Sequence, residues 1–458
     1  MKIGQSIGLS KPRGGGAGAA RRAPGSRPVA GRPSQAGWIV LALIGLCVFL
    51  TTSPFTFTLT AQDPAILTTV DVSHMRQAQN SQVLLYLVRS LILVIAIAFA
   101  LTRWRRAISG WRRLLPLAPF AAWCLLSIAW SDDPGISFRN VFALGVLVLS
   151  AHCLNARFSP REMALATMVG GGMIALFSLV YAGFLPVYGI HQHTDATQQV
   201  HAGSWRGVYL HKNFLGHLMA TFCAATVWAD RTVIRSTTLK WSLAALFLAI
   251  TIFTRSASAI FIPPMTILLV WVIVAASNKS RLRASIILVP ALLLAAIAMP
   301  LLLALVGRDE SFTGRDKVWQ IAMDSVLERP FHGFGYVSIS YGDFGYRLMS
   351  ATSLVDPHSG YFDIVLGTGV IGLLLFAVAI LAAYRAARHL HAIGDGERQA
   401  ALILASLMTG WLISCITESS DRPFTPEGGM GLFALGALLS MPAIRSPLLQ
   451  AGRAAGAR

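Results

Sequence analysis

The sequence predicts an all-α, polytopic integral membrane protein with about twelve transmembrane helices, on three observations. Of 458 residues, 55% are apolar and only 13% charged, a balance foreign to soluble domains of this size. The mean hydropathy is positive, +0.61. Apolar runs of roughly the 17–25 residues that a bilayer core demands recur along the chain.

Residues 1–36, rich in Gly, Ala, Pro and Arg and poor in bulky apolar side chains, are expected to form a disordered basic cytoplasmic tail. That tail is too long for a cleaved signal peptide, so the next run is read as a retained first span. The predicted spans are 37–60, 82–102, 114–130, 138–156, 163–187, 214–230, 239–254, 258–277, 284–306, 359–384, 399–417 and 428–444. Residues 37–445 make one membrane domain, and 446–458 a second cytoplasmic tail.

A net charge of +18 would point to nucleic acid in a soluble chain. Here the cations fall between apolar runs, so the partner is the lipid bilayer and no nucleic acid is expected. With the N-terminal tail inside, segments 1–36, 103–113, 157–162, 231–240, 278–283, 385–398 and 445–458 hold 26 of the 38 Lys and Arg residues. This bias places both termini in the cytoplasm, with "RWRRAISGWRR" at 103–113 as the strongest anchor. The five cysteines lie inside apolar stretches without a CxxC pair, which predicts neither a disulfide framework nor a metal site.

The topology turns the large loop 307–358 outward, together with "SWRGVYLHKNFLGH" at 204–217. In the loop, Thr313 and Asp316 read as a helix start and Pro330 as its stop. Val318, Trp319, Ile321, Ala322 and Val326 share one face of that amphipathic helix, and Arg315 joins them. A cation in a first helical turn opposes the macrodipole, so Arg315 awaits either an anion or a local partner, Asp316 or Glu310.

At the loop's end, in "DPHSGYFDIVLGTGVIG", Ser359 is placed to cap the tenth span. His358 then stands in the positive field of a helix N-terminus, which favours a neutral, proton-accepting imidazole; the alternative is an interfacial histidine capping backbone. Gly367, Gly369 and Gly372 predict close helix packing beneath it. Asp356 and Asp363 flank the histidine and could orient it, but are read as ordinary loop charges and left out of the catalytic set. Arg206 precedes the sixth span and Arg255 ends the seventh, both on the outward side, where each alone is a snorkelling anchor. Together with Lys212, Arg315 and a histidine they describe a pocket for a polyanion at the lipid boundary. His191, His193 and His201 lack an acidic or cysteine partner at fixed spacing, so no metal is assigned.

These three stretches, "RGVYLHKNFLGH", "FTGRDKVWQIAMDSVLERPFHGFGY" and "DPHSGYFDIVLGTGVIG", resemble the O-antigen ligase and Wzy-type polysaccharide polymerase superfamily, most closely its exopolysaccharide polymerase branch. The resemblance implies a GT-C-like glycosyltransferase of the bacterial inner (plasma) membrane with an extracytoplasmic site. It implies a donor glycan on undecaprenyl pyrophosphate, metal-independent catalysis and no cofactor. It further implies Arg206, Arg315 and His358 as catalytic residues, the last in an H-S-x9-G-x-x-G pattern. Substrate contacts from Arg255, Lys212, His211, Asn213 and Ser359 are implied as well. A flippase and a chain-length regulator are the implied partners.

The leading expectation is a polymerase of lipid-linked oligosaccharide repeats. The rival within the same chemistry is a ligase delivering glycan to lipid A-core or a protein. The rival of another class is a transporter or flippase of lipid-linked sugar; it predicts ionisable groups at span centres, for which Arg89 is the main candidate.

Overall fold

The computed structural model describes residues 35–55, 83–195, 199–231, 233–276, 280, 315–352, 354 and 356–441. The chain divides into two units, Met1–Ile39 and Val40–Arg458. The first contributes only residues 35–39 to the described part, and the helical bundle is the second. The predicted span 284–306, Thr313 and the rest of 307–314, and the two tails short of residue 35 and beyond 441 lie outside the described residues.

Each remaining predicted span meets a helix. They are α1 (Gln35–Thr51), α2 (Val83–Leu101), the short α3 (Trp104–Gly110), α4 (Ala118–Leu126), α5 (Pro134–Arg157), α6 (Pro160–Phe184), α7 (Lys212–Trp228), α8 (Thr237–Phe253) and α9 (Ala257–Val270). After the outer loop's α10 (Arg315–Glu328) and α11 (Asp343–Thr352) come α12 (Gly360–Ile393), α13 (Asp395–Thr417) and α14 (Pro426–Ser440). Among the described residues, five helices are long and apolar enough to cross a bilayer, and the pair α2–α3, bent by 110°, makes a sixth. α1, α4 and α8 are apolar but shorter.

Local signals account for the ends. Ser159 and Glu162 form a reciprocal capping box at the start of α6, and Asp133 caps α5 just ahead of Pro134. α12 overruns its predicted end at 384 because "YRAARHLHAI" contains no breaker before Gly394.

α13 is the central helix, packed against α6, α7, α9, α12 and α14. Small residues make this possible: a Cβ on Gly410 would stand 2.3 Å from Thr221 Oγ1 on α7, so the two backbones approach at a distance only glycine permits. Trp411 is buried, and its indole donates to Ser420 O at 2.7 Å.

Of the glycines after His358, Gly367 and Gly372 sit in the close packing expected, an added Cβ standing 3.1 Å from Gly335 O and 3.2 Å from Trp123 Cδ1, while Gly369 does something further. Gly369 takes φ 68°, ψ −177° and breaks α12 in two. The freed carbonyls are met by the outer loop: Phe334 N–H donates to Leu366 O (2.8 Å) and Gly335 N–H to Gly367 O (2.9 Å), while Val370 N–H donates to Pro330 O (2.8 Å). Trp123 Nε1 donates to Thr368 O at 2.8 Å. Broken helices persist at membrane depth only where protein satisfies their backbone in this way.

The loop is itself a small folded unit. Val318 and Ala322 of α10, Phe344 and Leu348 of α11, Phe334, Ile339 and Leu366 form a satellite core, with Trp319, Ile321 and Val326 against it. The amphipathic face read from the sequence is therefore the face that α10 buries, and its helix ends at Glu328, just before Pro330.

Candidate functional site

Four stretches distant in sequence meet at one end of the bundle: 187–213, the α9 approach at 254–256, 356–359, and the turn 418–425 after α13. Each is fixed by backbone hydrogen bonds before any side chain acts.

The first forms a tight hairpin. An isolated antiparallel bridge joins Ile190 and Trp205; His191 N–H donates to Ser204 O, and Gly203 N–H to His191 O, both at 2.9 Å. Arg206 comes next and is 3% exposed. Its guanidinium donates to Tyr188 O (2.8 Å), Val187 O (2.9 Å) and Asp195 Oδ2 (3.0 Å). The arginine expected to face a polyanion is thus occupied in bracing residues 187–195. Burial pulls it below the ordinary arginine value, against the pull of Asp195.

His191 Nδ1 lies 3.1 Å from the same Asp195 oxygen, and its Nε2 accepts from Lys212 N–H at 3.2 Å. One nitrogen donates and the other accepts, so the ring is a neutral linker. His191, His201 and His211 pack edge to face with centroids 5.1–5.7 Å apart. Burial, then neighbouring cations, lowers His191 to about 3. Burial also lowers His211 to about 3. His211 is the N-cap of α7, its ring accepting from Asn213 N–H. Among the described residues no group of three His, Cys, Asp or Glu is placed to hold a metal ion.

Lys212 Nζ donates to Arg255 O at 3.2 Å. Arg255 adopts φ 50°, a conformation uncommon outside glycine and concentrated at functional sites. Its exposed guanidinium passes close to Gly203 and makes no ion pair with a described residue.

His358 also adopts a left-handed φ of 48°. Its N–H donates to Asp356 Oδ1 (3.1 Å), and its Nδ1 lies 3.4 Å from Glu418 Oε2 and 3.7 Å from Asp356 Oδ1. The side chain is about one-third exposed, 30%. Trp319 of α10 donates from its indole to Pro357 O at 3.1 Å, so the outer loop holds the histidine turn in place. Ser359 occupies the N-cap position of α12 without capping; its hydroxyl donates instead to Cys415 O at 3.2 Å, and Gly360 N–H donates to Glu418 O.

Glu418 is the residue sequence reading missed. Buried at the end of α13, it accepts from Asn213 Nδ2 at 2.7 Å on Oε1 while Oε2 faces His358. One carboxylate therefore ties the Lys212–Asn213 pair to the histidine turn. Burial alone would raise it, but the bond from His358 and the nearby His358 charge bring it down to about 2. For Asp356, too, burial is outweighed, by His358 and Arg422, so it stays below the usual carboxylate range. The sequence signal was present in "ITESSDRP", where acidic residues cap an otherwise apolar span.

Behind this layer Arg422 donates to Asp363 Oδ1 (3.0 Å) and Ser340 Oγ (3.1 Å) and lies 3.8 Å from Asp356. Burial and the nearby Asp363 hold Asp421 well above the usual carboxylate range. Asp356 and Asp363, read as ordinary loop charges, belong to this network. Arg89, the span-centre candidate, is buried at the same end: it donates to Ser53 Oγ at 2.6 Å and stacks on Phe424 at 4.2 Å. Arg315 is the first residue of α10, and its side chain lies outside the described part.

The chemistry available is a partly exposed imidazole with Glu418 against its Nδ1 and Asp356 holding its backbone N–H, beside a cationic edge of Lys212 and Arg255. Groups of these kinds can take a proton from a hydroxyl and receive a negatively charged leaving group.

Residues 242–377 match the family model described as O-antigen ligase. This stretch runs from α8 into α12 and contains Arg255, Arg315 and His358; Arg206, Lys212 and Glu418 fall outside it. Over 310 residues, 62% of this chain and 67% of the relative, the protein is 23% identical to the exopolysaccharide production protein ExoQ of Rhizobium meliloti (strain 1021). Residues 242–377 of this polytopic helical membrane protein are thus similar to the O-antigen ligase family.

Proposed function

We propose that the protein is a membrane glycosyltransferase that polymerises undecaprenyl-pyrophosphate-linked oligosaccharide repeats into exported polysaccharide, acting on the outer face of the bacterial inner membrane. The observation that carries the reading is the Asn213–Glu418–His358 chain, which unites the first and last of the stretches that resemble the family. Its twelve spans rest on the apolar runs and the cytoplasmic placement of both termini on the bias of cations along the sequence, while a GT-C-like frame is what the family resemblance implies.

In this mechanism the acceptor sugar hydroxyl donates its proton to His358 Nε2 as its oxygen attacks C1 of the donor glycan. The C1–O bond to the lipid pyrophosphate breaks as the new glycosidic bond forms on the opposite face, with inversion. Glu418 and Asp356 stabilise the imidazolium that results. Lys212, Arg255 and Arg315 meet the charge that develops on the departing pyrophosphate. Arg206 acts through the 187–195 hairpin, as a positioning residue.

A ligase reading shares this donor chemistry and is supported by the family description covering 242–377. The two separate in one experiment. Purified protein is incubated with an undecaprenyl-pyrophosphate oligosaccharide alone, and the products are resolved on a gel. A ladder of multiples is expected; donor consumed only after lipid A-core is added makes the protein a ligase, and no reaction in either case removes the enzyme reading.

A further inference from the structure

At the opposite end of α5 and α13 from His358 the structure holds a cavity of about 560 Å³. Both helices span the interval, at roughly 1.5 Å per residue. The cavity is lined by Arg103, Arg106, Arg113 and Arg157 against Glu162 and Glu397. Glu162 is already committed, accepting from Ser159 N–H and hydroxyl at 2.8 Å. Arg103 and Arg106 are exposed and make no ion pair with a described residue.

Its floor is polar. His152 and Asn155 are buried there; His152 Nε2 bonds Ala107 O at 3.0 Å, and Asn155 Nδ2 bonds Ala437 O and Ser440 Oγ at 2.7 Å. Each side chain retains one polar atom without a partner, Nδ1 and Oδ1. Such a floor does not suit an acyl chain; with Nε2 donating to Ala107 O both free atoms are acceptors, so the recognition of an anion falls to the arginines of the rim.

The helix that forms the rim has two faces. Arg103, Arg106, Ser109, Gly110 and Arg113 line the cavity, whereas Trp104, Ile108 and Trp111 point outward, 52–60% exposed. With the 110° bend from α2, this is the pattern of a helix lying in the membrane interface with tryptophans at headgroup depth.

We propose that this cavity binds the phosphate of an anionic phospholipid headgroup, remote from the glycan site and independent of its assignment. The exposed tryptophans place the source in the bilayer, while glycerol phosphate offers the same chemistry from solution.

The full-length protein, purified in mild detergent, is tested by native mass spectrometry with phosphatidylglycerol or phosphatidylcholine added. Two matched variants of equal charge are compared: Arg103→Gln/Arg106→Gln, on the cavity, and Arg105→Gln/Arg112→Gln, on the same segment but outside it. Size-exclusion profiles verify that both fold. Retention of phosphatidylglycerol is expected to fall about tenfold or more in the first pair only, and phosphatidylcholine to be retained poorly throughout. Displacement by millimolar glycerol phosphate would assign the site to the soluble anion; no displacement assigns it to the lipid. Equal losses in both pairs, or equal retention of the two lipids, would overturn the proposal.

Discussion

Arg206 and His358 stand at the same end of the molecule, and the resemblance assigns both to catalysis, yet their surroundings differ in kind. Arg206 is 3% exposed, and its guanidinium is spent on two carbonyls and a carboxylate within twenty residues of its own chain. His358 keeps 30% of its side chain open, holds a left-handed backbone, and takes a partner from the end of α13. The first is an interaction that makes a hairpin rigid; the second is a group held in a costly conformation with part of its ring open to substrate. A basic residue at a span end is therefore not by itself a substrate ligand, and exposure with long-range backing separates the two cases.

The comparison breaks most readily at His358. Replacing it with alanine is expected to lower the rate of chain extension by about 10²–10⁴-fold, the usual worth of a general base, without changing the unfolding temperature. A variant that still produces a full ladder at the normal rate removes His358 from the reaction.

Arg206→Gln should behave in the reverse way. Removing one partner of a buried pair costs about 3–5 kcal/mol, so thermal unfolding in detergent should move down clearly, and activity should be lost in proportion to the unfolded fraction. Normal stability with lost turnover would return Arg206 to the substrate side.

Glu418→Gln sharpens the contrast, since it keeps the size of the side chain and an acceptor for Asn213. Extension should slow by about ten- to a hundredfold, and the acid limb of the pH–rate profile should move to lower pH, because a negative charge beside Nδ1 has gone. A profile that does not move makes Glu418 a purely structural link.

The smallest effect is on pH dependence. His191 and His211 are lowered in the folded protein to about 3, from an ordinary value of 6.5, so the unfolded chain binds the extra protons. Their contribution is complete above pH 6.5 and is lost as pH falls from there toward 3. Glu418, lowered to about 2 from 4.5, keeps its contribution down to pH 4.5. Unfolding temperature should therefore decline between pH 7 and 5, and the decline should flatten when both histidines are replaced by asparagine. An unchanged slope would show these rings are not held neutral.

The spans were legible because apolarity and length are local properties, and the described helices fall where the apolar runs predict. The buried face of α10 was legible for the same reason, from the spacing of Val318, Ala322 and Trp319. Glu418 was not, because its partners are Asn213 and His358, 205 and 60 residues away, and an acidic residue after a span looks like any loop charge. Nor was the saturation of Arg206, since Val187 and Tyr188 contribute carbonyls, which every residue has. Gly369 read as a packing glycine because its left-handed φ depends on Phe331, whose carbonyl carbon would lie 2.1 Å from an added Cβ.

That break in α12 has a mechanical consequence. The peptide of Phe334 and Gly335 is fastened to the outer half of the helix, and Trp319 of the same loop is fastened to Pro357, beside the imidazole. Pro330 O of that loop also accepts from Val370 N–H of the inner half, so the loop bridges the break at Gly369 and ties both halves of the helix to the histidine turn. The kink is splinted from outside, and the position of the imidazole is set by the loop through Pro357 and by the end of α13 through Glu418 rather than by its own helix alone.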